Sequence, residues 1–452
     1  MNYLNKAKIK KFLPFFLGFF ISFCLINYKV FILDLLLDNN YESLDYIRPA
    51  KIFYDTNSFS LLLESLYARL PAYPLLISSL FNFFGEENFI SILFFQSVLY
   101  GLIVHISLKI KNIFINKYFW LSLIIILFNL NLLLSSTLIL PDILLVFFLT
   151  NGIYFYLLFF KKKEKYFYLF IGNIFFGFSF LTKSVAILLP FFLCFSLIIF
   201  FIFNKRVNIY KKILFSVSPL LIIYMMASPI YIFHYQQSGI ATISYHKGGH
   251  LLFVVYPCLS QKWGCGVGNR VAVEKVKKID KEIKTNFLKK KYGTVGQNFD
   301  TENLIDRLQI AEIYEEKAYK IIKEIKTSQI IQSAFSSYMK LMLHTSLIGF
   351  IDFFNINYIN YKIPDNFNKI TFIWLIGQIF LIISRFFQIY GTVSYLKSNK
   401  KNIFSVIFLI LICISFLIPA LSIGNPRYRL PLEVILSLFT ILGVRKFIKN
   451  NL

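Results

Sequence analysis

The stretch Asn40–Pro74, NYESLDYIRPAKIFYDTNSFSLLLESLYARLPAYP, is polar and acidic-aromatic, and it lies between two apolar runs. The run before it, Phe12 to Leu33, is long enough to cross a bilayer, so Glu42, Asp45, Arg48, Asp55, Glu64 and Arg69 stand at a membrane surface. Charges at that depth are costly unless paired, solvated or used, which makes them the first candidates for a functional site.

Working outward, the composition agrees. A chain of 452 residues that is 57% hydrophobic and 16% charged is no ordinary water-soluble domain, and it reads as an all-α polytopic membrane protein. The formal net charge of +25 would point to nucleic acid in a soluble protein. Here most Lys residues sit in short runs between apolar spans, where they report topology, so no nucleic acid is expected.

Lys6, Lys8, Lys10 and Lys11 precede the first apolar run. That run is too long for a signal peptide and no small-residue cleavage site follows, so it is read as an uncleaved first helix. At ~20 apolar residues per crossing, ten crossings follow, at 12–33, 89–108, 118–136, 142–160, 166–181, 185–203, 213–235, 370–396, 403–423 and 431–447. Leu75–Phe84 is too short and is expected as a surface helix. The basic stretches 109–117, 161–165 and 205–212 then share the N-terminal side, as positive-inside topology requires.

Three regions result: a transmembrane region 1–235 with its first outer loop at 34–88, an outer loop region 236–367, and a transmembrane region 368–452. Glu302–Ile325 has helical periodicity, and Ile330–Phe354 is read as an amphipathic outer helix. Of five cysteines, Cys24, Cys194 and Cys413 lie in apolar runs as core residues. Cys258 and Cys265 are close enough to close a loop, as a disulfide or as two free thiols. His246 and His250 are four apart, but Gly248 and Gly249 between them argue against a helical zinc site. GCGVG lacks the strand and helix that a nucleotide-binding loop needs.

This topology puts Asp142, Lys183 and Asn425–Pro431 on the side of the first outer loop. Carboxylates and cations gathered at one bilayer face suit transfer of a group off a lipid phosphate: cations hold phosphate oxygens and a carboxylate takes the acceptor hydroxyl's proton. Arg427 and Arg429 flank Tyr428 at a helix start, where their charge gains nothing from the helix dipole and phosphate is a reasonable partner. Arg69 either touches the donor or pairs with Glu64.

The segments ESLDYIRPA (42–50), RLPAYPLL (69–76), LPDILLVFF (140–148), GFSFLTKSVAILLP (177–190) and NPRYRLPLE (425–433) follow one another in an order that resembles the GT-C superfamily of integral-membrane glycosyltransferases. The chain is most similar to the branch containing protein O-mannosyltransferase-like and lipid A aminoarabinose transferase-like enzymes. The resemblance implies inverting transfer of a hexose or pentose from a polyprenyl-phosphate donor to an envelope glycan, lipid or protein acceptor, at the outer face of a bacterial plasma membrane. It implies a first-loop acid as base, which falls on Asp45 first and Glu42 second. It places Asp142 at the second acidic position, holding an acceptor or a divalent metal ion, the one cofactor left open. It makes Lys183 a ligand of the donor phosphate, alongside Arg427, Arg429, Tyr428 and Arg69. Two other readings stand beside it: a flippase or transporter, which should carry polar groups deep in several helices, and a polymerase or ligase of lipid-linked saccharides, in which cations should dominate without a first-loop acid.

Overall fold

The computed structural model describes residues 2–32, 41–66, 69–161, 165–203, 208–244, 246–260, 270–292, 304–343, 367–398, 403–420 and 426–451. Every regular element among them is helical. Seven of these helices are long and apolar enough to cross a membrane. They are Phe12–Ile32, Phe89–Phe114, Asp142–Lys161, Ser184–Phe203, Ile209–Ser238, Gly377–Lys397 and Ile403–Ala420.

The helices are α1 (Asn2–Asn27), α2 (Tyr41–Thr56), α3 (Phe59–Ser65), α4 (Ala72–Phe84), α5 (Phe89–Phe114), α6 (Phe119–Leu127), α7 (Leu130–Ser135) and α8 (Asp142–Lys161). Then come α9 (Tyr166–Thr182), α10 (Leu189–Phe203), α11 (Ile209–Ser238), α12 (His246–His250), α13 (Tyr256–Leu259), α14 (Arg270–Tyr292), α15 (Leu304–Lys323) and α16 (Thr327–Leu343). The last three are α17 (Phe367–Ser398), α18 (Ile403–Ala420) and α19 (Glu433–Asn451).

The other three expected crossings take different forms. Residues 118–136 form two short helices, because the Asn129 side chain accepts from the Leu132 amide at 3.2 Å and starts α7 afresh. The 166–181 stretch is the 17-residue α9. The C-terminal stretch is a 3₁₀ turn, Pro426–Leu432, leading into α19.

Apolar side chains from Ile26 to Leu442 make one continuous bundle core. In it α1 packs on α5, α8 on both α5 and α9, and α17 on α19. The α17–α19 contact needs glycine: a Cβ at Gly443 would collide with the Phe387 carbonyl, and one at Gly391 with the Phe439 carbonyl. A second, separate core joins Leu252, Tyr256, Val276, Ile279, Ile310 and Tyr314, which draws α13, α14 and α15 together in the region between the bundle halves. The Lys-rich α14 is a helix the sequence reading did not single out. Cys258 is disulfide-bonded. Cys265, the GCGVG stretch, and residues 344–354 of the expected helix 330–354 lie outside the described residues.

Chain direction positions the site. The first crossing ends before α2, α8 starts at Asp142, α9 ends just before Lys183, and the 426–432 turn precedes α19. Ion pairs among α2, the start of α8, Lys183 and the 426–432 turn place all four of these chain segments at one end of the bundle.

Candidate active site

Asp142 is the first residue of α8 and is 2% exposed, so water cannot stabilise its charge. Protein cations do so instead. Lys183 Nζ donates to Oδ1 at 2.6 Å, and Arg427 donates to Oδ2 from Nε at 3.0 Å and Nη2 at 2.6 Å. Lys183 comes free for this role because α9 stops at Thr182 and Lys183 is extended, with φ −154° and ψ 132°, before a 3₁₀ turn.

The remaining Nη1 of Arg427 donates to Glu42 on α2, which joins residues 385 apart in sequence. One turn further along α2, Asp45 accepts from Arg69 Nη2 at 2.8 Å and Nε at 3.3 Å. Arg69 stacks 5.2 Å from the centre of the Tyr46 ring, and Lys183 lies 5.3 Å from that of Tyr428. Three carboxylates thus face three cations, and the arrangement is close to neutral.

Exposure divides these groups. The side chains of Glu42 and Asp45 are 41% and 44% exposed, against 2% for Asp142. Solvent reaches the first two and not the third. Burial alone would raise the Glu42 pKa, but the charge and hydrogen bond of Arg427 hold it below the ordinary glutamate value. Burial opposes the charge of Arg427 too, and Asp142 and Glu42 more than offset it, so its pKa is raised and it stays a cation.

Asp45, Glu42, Asp142, Lys183, Arg427, Arg69 and Tyr428 therefore gather as one neighbourhood. Arg429 does not join them. It is 3% exposed and points away, donating from Nε to Glu433 at 2.6 Å and from Nη1 to the carbonyls of Leu341 at 2.8 Å and Met342 at 3.2 Å. The sequence reading did not pick out Glu433, although its place four residues after Arg429 on a helix start was a usable signal.

Among the described residues no three His, Cys, Asp or Glu side chains converge as metal ligands would. Glu42 and Asp142 already share Arg427, and Lys183 holds the second oxygen of Asp142. That donor set is saturated by protein cations and does not fit a metal. Cations that hold carboxylate oxygens are equally suited to phosphate oxygens.

A family profile described as dolichyl-phosphate-mannose-protein mannosyltransferase matches residues 13–242, just over half of the chain. The matched range includes Glu42, Asp45, Arg69, Asp142 and Lys183 and stops short of Arg427. Comparison with curated proteins gives no match. Among solved structures, the archaeal oligosaccharyltransferase AglB from Archaeoglobus fulgidus, in complex with an inhibitory peptide and a dolichol-phosphate, aligns with 98% of this chain and 52% of its own, at 12% identity and TM-score 0.48. The Archaeoglobus fulgidus oligosaccharyltransferase in the apo form aligns over 96% and 50%, at 11% identity and TM-score 0.49. The chain spans about half the length of the solved structures it matches.

Proposed function

The chain belongs to the dolichyl-phosphate-mannose-protein mannosyltransferase family, and on that premise we propose that it is a membrane glycosyltransferase moving a hexose or pentose from a polyprenyl-phosphate donor to an acceptor hydroxyl. One observation carries the reading: acids from the first loop and from α8 meet the basic residues that follow α9 and precede α19 in one half-open ion-paired cluster.

In the proposed reaction the donor phosphate takes hydrogen bonds from Arg427 and Lys183. Glu42, no longer held by the guanidinium, regains basicity and removes the acceptor hydroxyl's proton. The acceptor oxygen attacks the anomeric carbon from the face opposite the phosphate, the carbon–oxygen bond to phosphate breaks, and configuration inverts. Polyprenyl phosphate leaves with the bonding pair, and Arg427 and Lys183 stabilise its charge. Asp142 orients both cations and takes no proton itself. Asp45 and Arg69 flank the acceptor side.

Glu42 is assigned as the base ahead of Asp45 because it adjoins the cations that would hold the phosphate, whereas Asp45 is engaged by Arg69. The positive-inside pattern supports an extracytoplasmic site; the bacterial plasma membrane and an envelope glycan, lipid or protein acceptor are part of the same proposal. Radiolabelled sugar transfer in proteoliposomes tests the reading. Glu42→Gln should abolish transfer while polyprenyl phosphate still binds; full turnover in both Glu42→Gln and Asp45→Asn would remove the proposed base.

A further inference from the structure

Behind the open cluster lies a second, sealed one. Glu433, 6% exposed, accepts from Asn129 Nδ2 at 2.9 Å, from Asn131 Nδ2 at 3.2 Å and from Arg429 Nε at 2.6 Å. Arg429 also caps the last carbonyls of α16, and Arg385 of α17 donates to the Met342 carbonyl at 2.9 Å. Two guanidiniums at that helix end suit the negative pole of its dipole. One carboxylate is thereby bonded to the start of α7 and to the 426–432 turn, and through Arg429 the end of α16 is tied to the same point.

A buried ion pair adds little net stability compared with apolar packing, so its stability contribution does not explain its presence here. Its connections offer an explanation. Arg429 is two residues from Arg427 within a seven-residue 3₁₀ turn. Asn129 and Asn131 belong to the segment that runs directly into Asp142. Arg427 and Asp142 are 285 residues apart in sequence and meet at 2.6 Å. The backbones that carry them are fixed relative to one another by Glu433.

We propose that Glu433 and Arg429 are positioning residues that hold the Arg427 guanidinium and the Asp142 carboxylate in register for the donor phosphate. The proposal rests on the reading of Arg427 as a phosphate ligand. Misplacing such a group by about 1 Å can cost on the order of 10²-fold in rate. A purely structural role would lower stability and leave the affinity of the folded fraction untouched.

The test measures binding of a sugar-free polyprenyl phosphate, and sugar transfer, for the full chain in nanodiscs, at a temperature where every variant is folded. Glu433→Gln should weaken phosphate-lipid binding by about tenfold and slow transfer by ~10–100-fold. In an Arg427→Lys background the same change should add less than about twofold, because coupled residues are not additive. Equal losses in both backgrounds, or wild-type binding and turnover in folded Glu433→Gln, would overturn the proposal. Should Glu433→Gln fail to fold, Asn131→Ala removes one of its amide bonds and carries the same comparison. Wild-type phosphate-lipid affinity in Arg427→Ala would instead show that the reading of Arg427 is wrong, and the positioning role would fall with it.

Discussion

Arg427 and Arg429 are separated by one residue and have opposite surroundings. Arg427 is 28% exposed and divides its guanidinium between two carboxylates of different accessibility; Arg429 is sealed, with a carboxylate and two main-chain carbonyls around it. Of the two carboxylates on Arg427 only Glu42 regains water when released; Asp142 is buried and keeps its place. Nothing can displace the partners of Arg429 without leaving Glu433 buried and uncompensated. Accessibility, more than charge, separates the group suited to bind from the group suited to hold.

Substitutions can break that contrast, and the largest effect belongs to the base. Glu42→Gln should cost about 10²–10⁴-fold in transfer, with little change in thermal stability because a half-exposed ion pair is worth under about 1 kcal/mol. Asp45→Asn should cost far less. If the sizes are reversed in proteoliposome assays, the base is Asp45 and the contrast between the two α2 acids is misread.

Arg427→Ala should follow, at about 10²–10³-fold in transfer, together with weaker binding of polyprenyl phosphate. Arg429→Ala should show its first effect in a melting curve. It removes one partner of a buried pair, so unfolding should be easier by about 3–5 kcal/mol, seen as a lower melting temperature in detergent. Equal thermal penalties for Arg427→Ala and Arg429→Ala would erase the distinction drawn here.

The sequence made part of this contrast readable. The order of the polar motifs between apolar runs led to the expectation that Glu42, Asp142, Lys183 and Arg427 share one side, and the four do meet. It did not separate Arg427 from Arg429. Their directions depend on the 3₁₀ turn of Pro426–Leu432, and the carbonyls that Arg429 donates to come from 88 and 87 residues away, beyond any local pattern. It ranked Asp45 ahead of Glu42 as the base, but both share one face of α2, and only the long-range partners, Arg427 and Arg69, tell them apart. The break at Asn129 was hidden by the apolar residues around it. A capping side chain is a single polar atom pair, and hydropathy averages it away.

The smallest expected effect probes Glu42 as a folded-state acid. Arg427 holds its pKa below the ordinary value of about 4.3, so the folded protein releases this proton more readily than the unfolded chain does. The pair therefore contributes stability that is fully present above the unfolded pKa and is lost as pH falls through the lower, folded one. Measured against Glu42→Gln, the wild-type melting temperature should be higher at neutral pH, by an amount equivalent to less than about 1 kcal/mol after solvent screening. The gap should close only in the acid range below the ordinary glutamate pKa. The corresponding gap for Glu433→Gln should be larger at neutral pH, because that carboxylate is sealed and its ion pair with Arg429 is not screened by solvent. A Glu42→Gln gap that matched the Glu433→Gln gap in size would mean that solvent does not reach the open cluster, and with it would go the route by which a donor phosphate exchanges for Glu42 on Arg427.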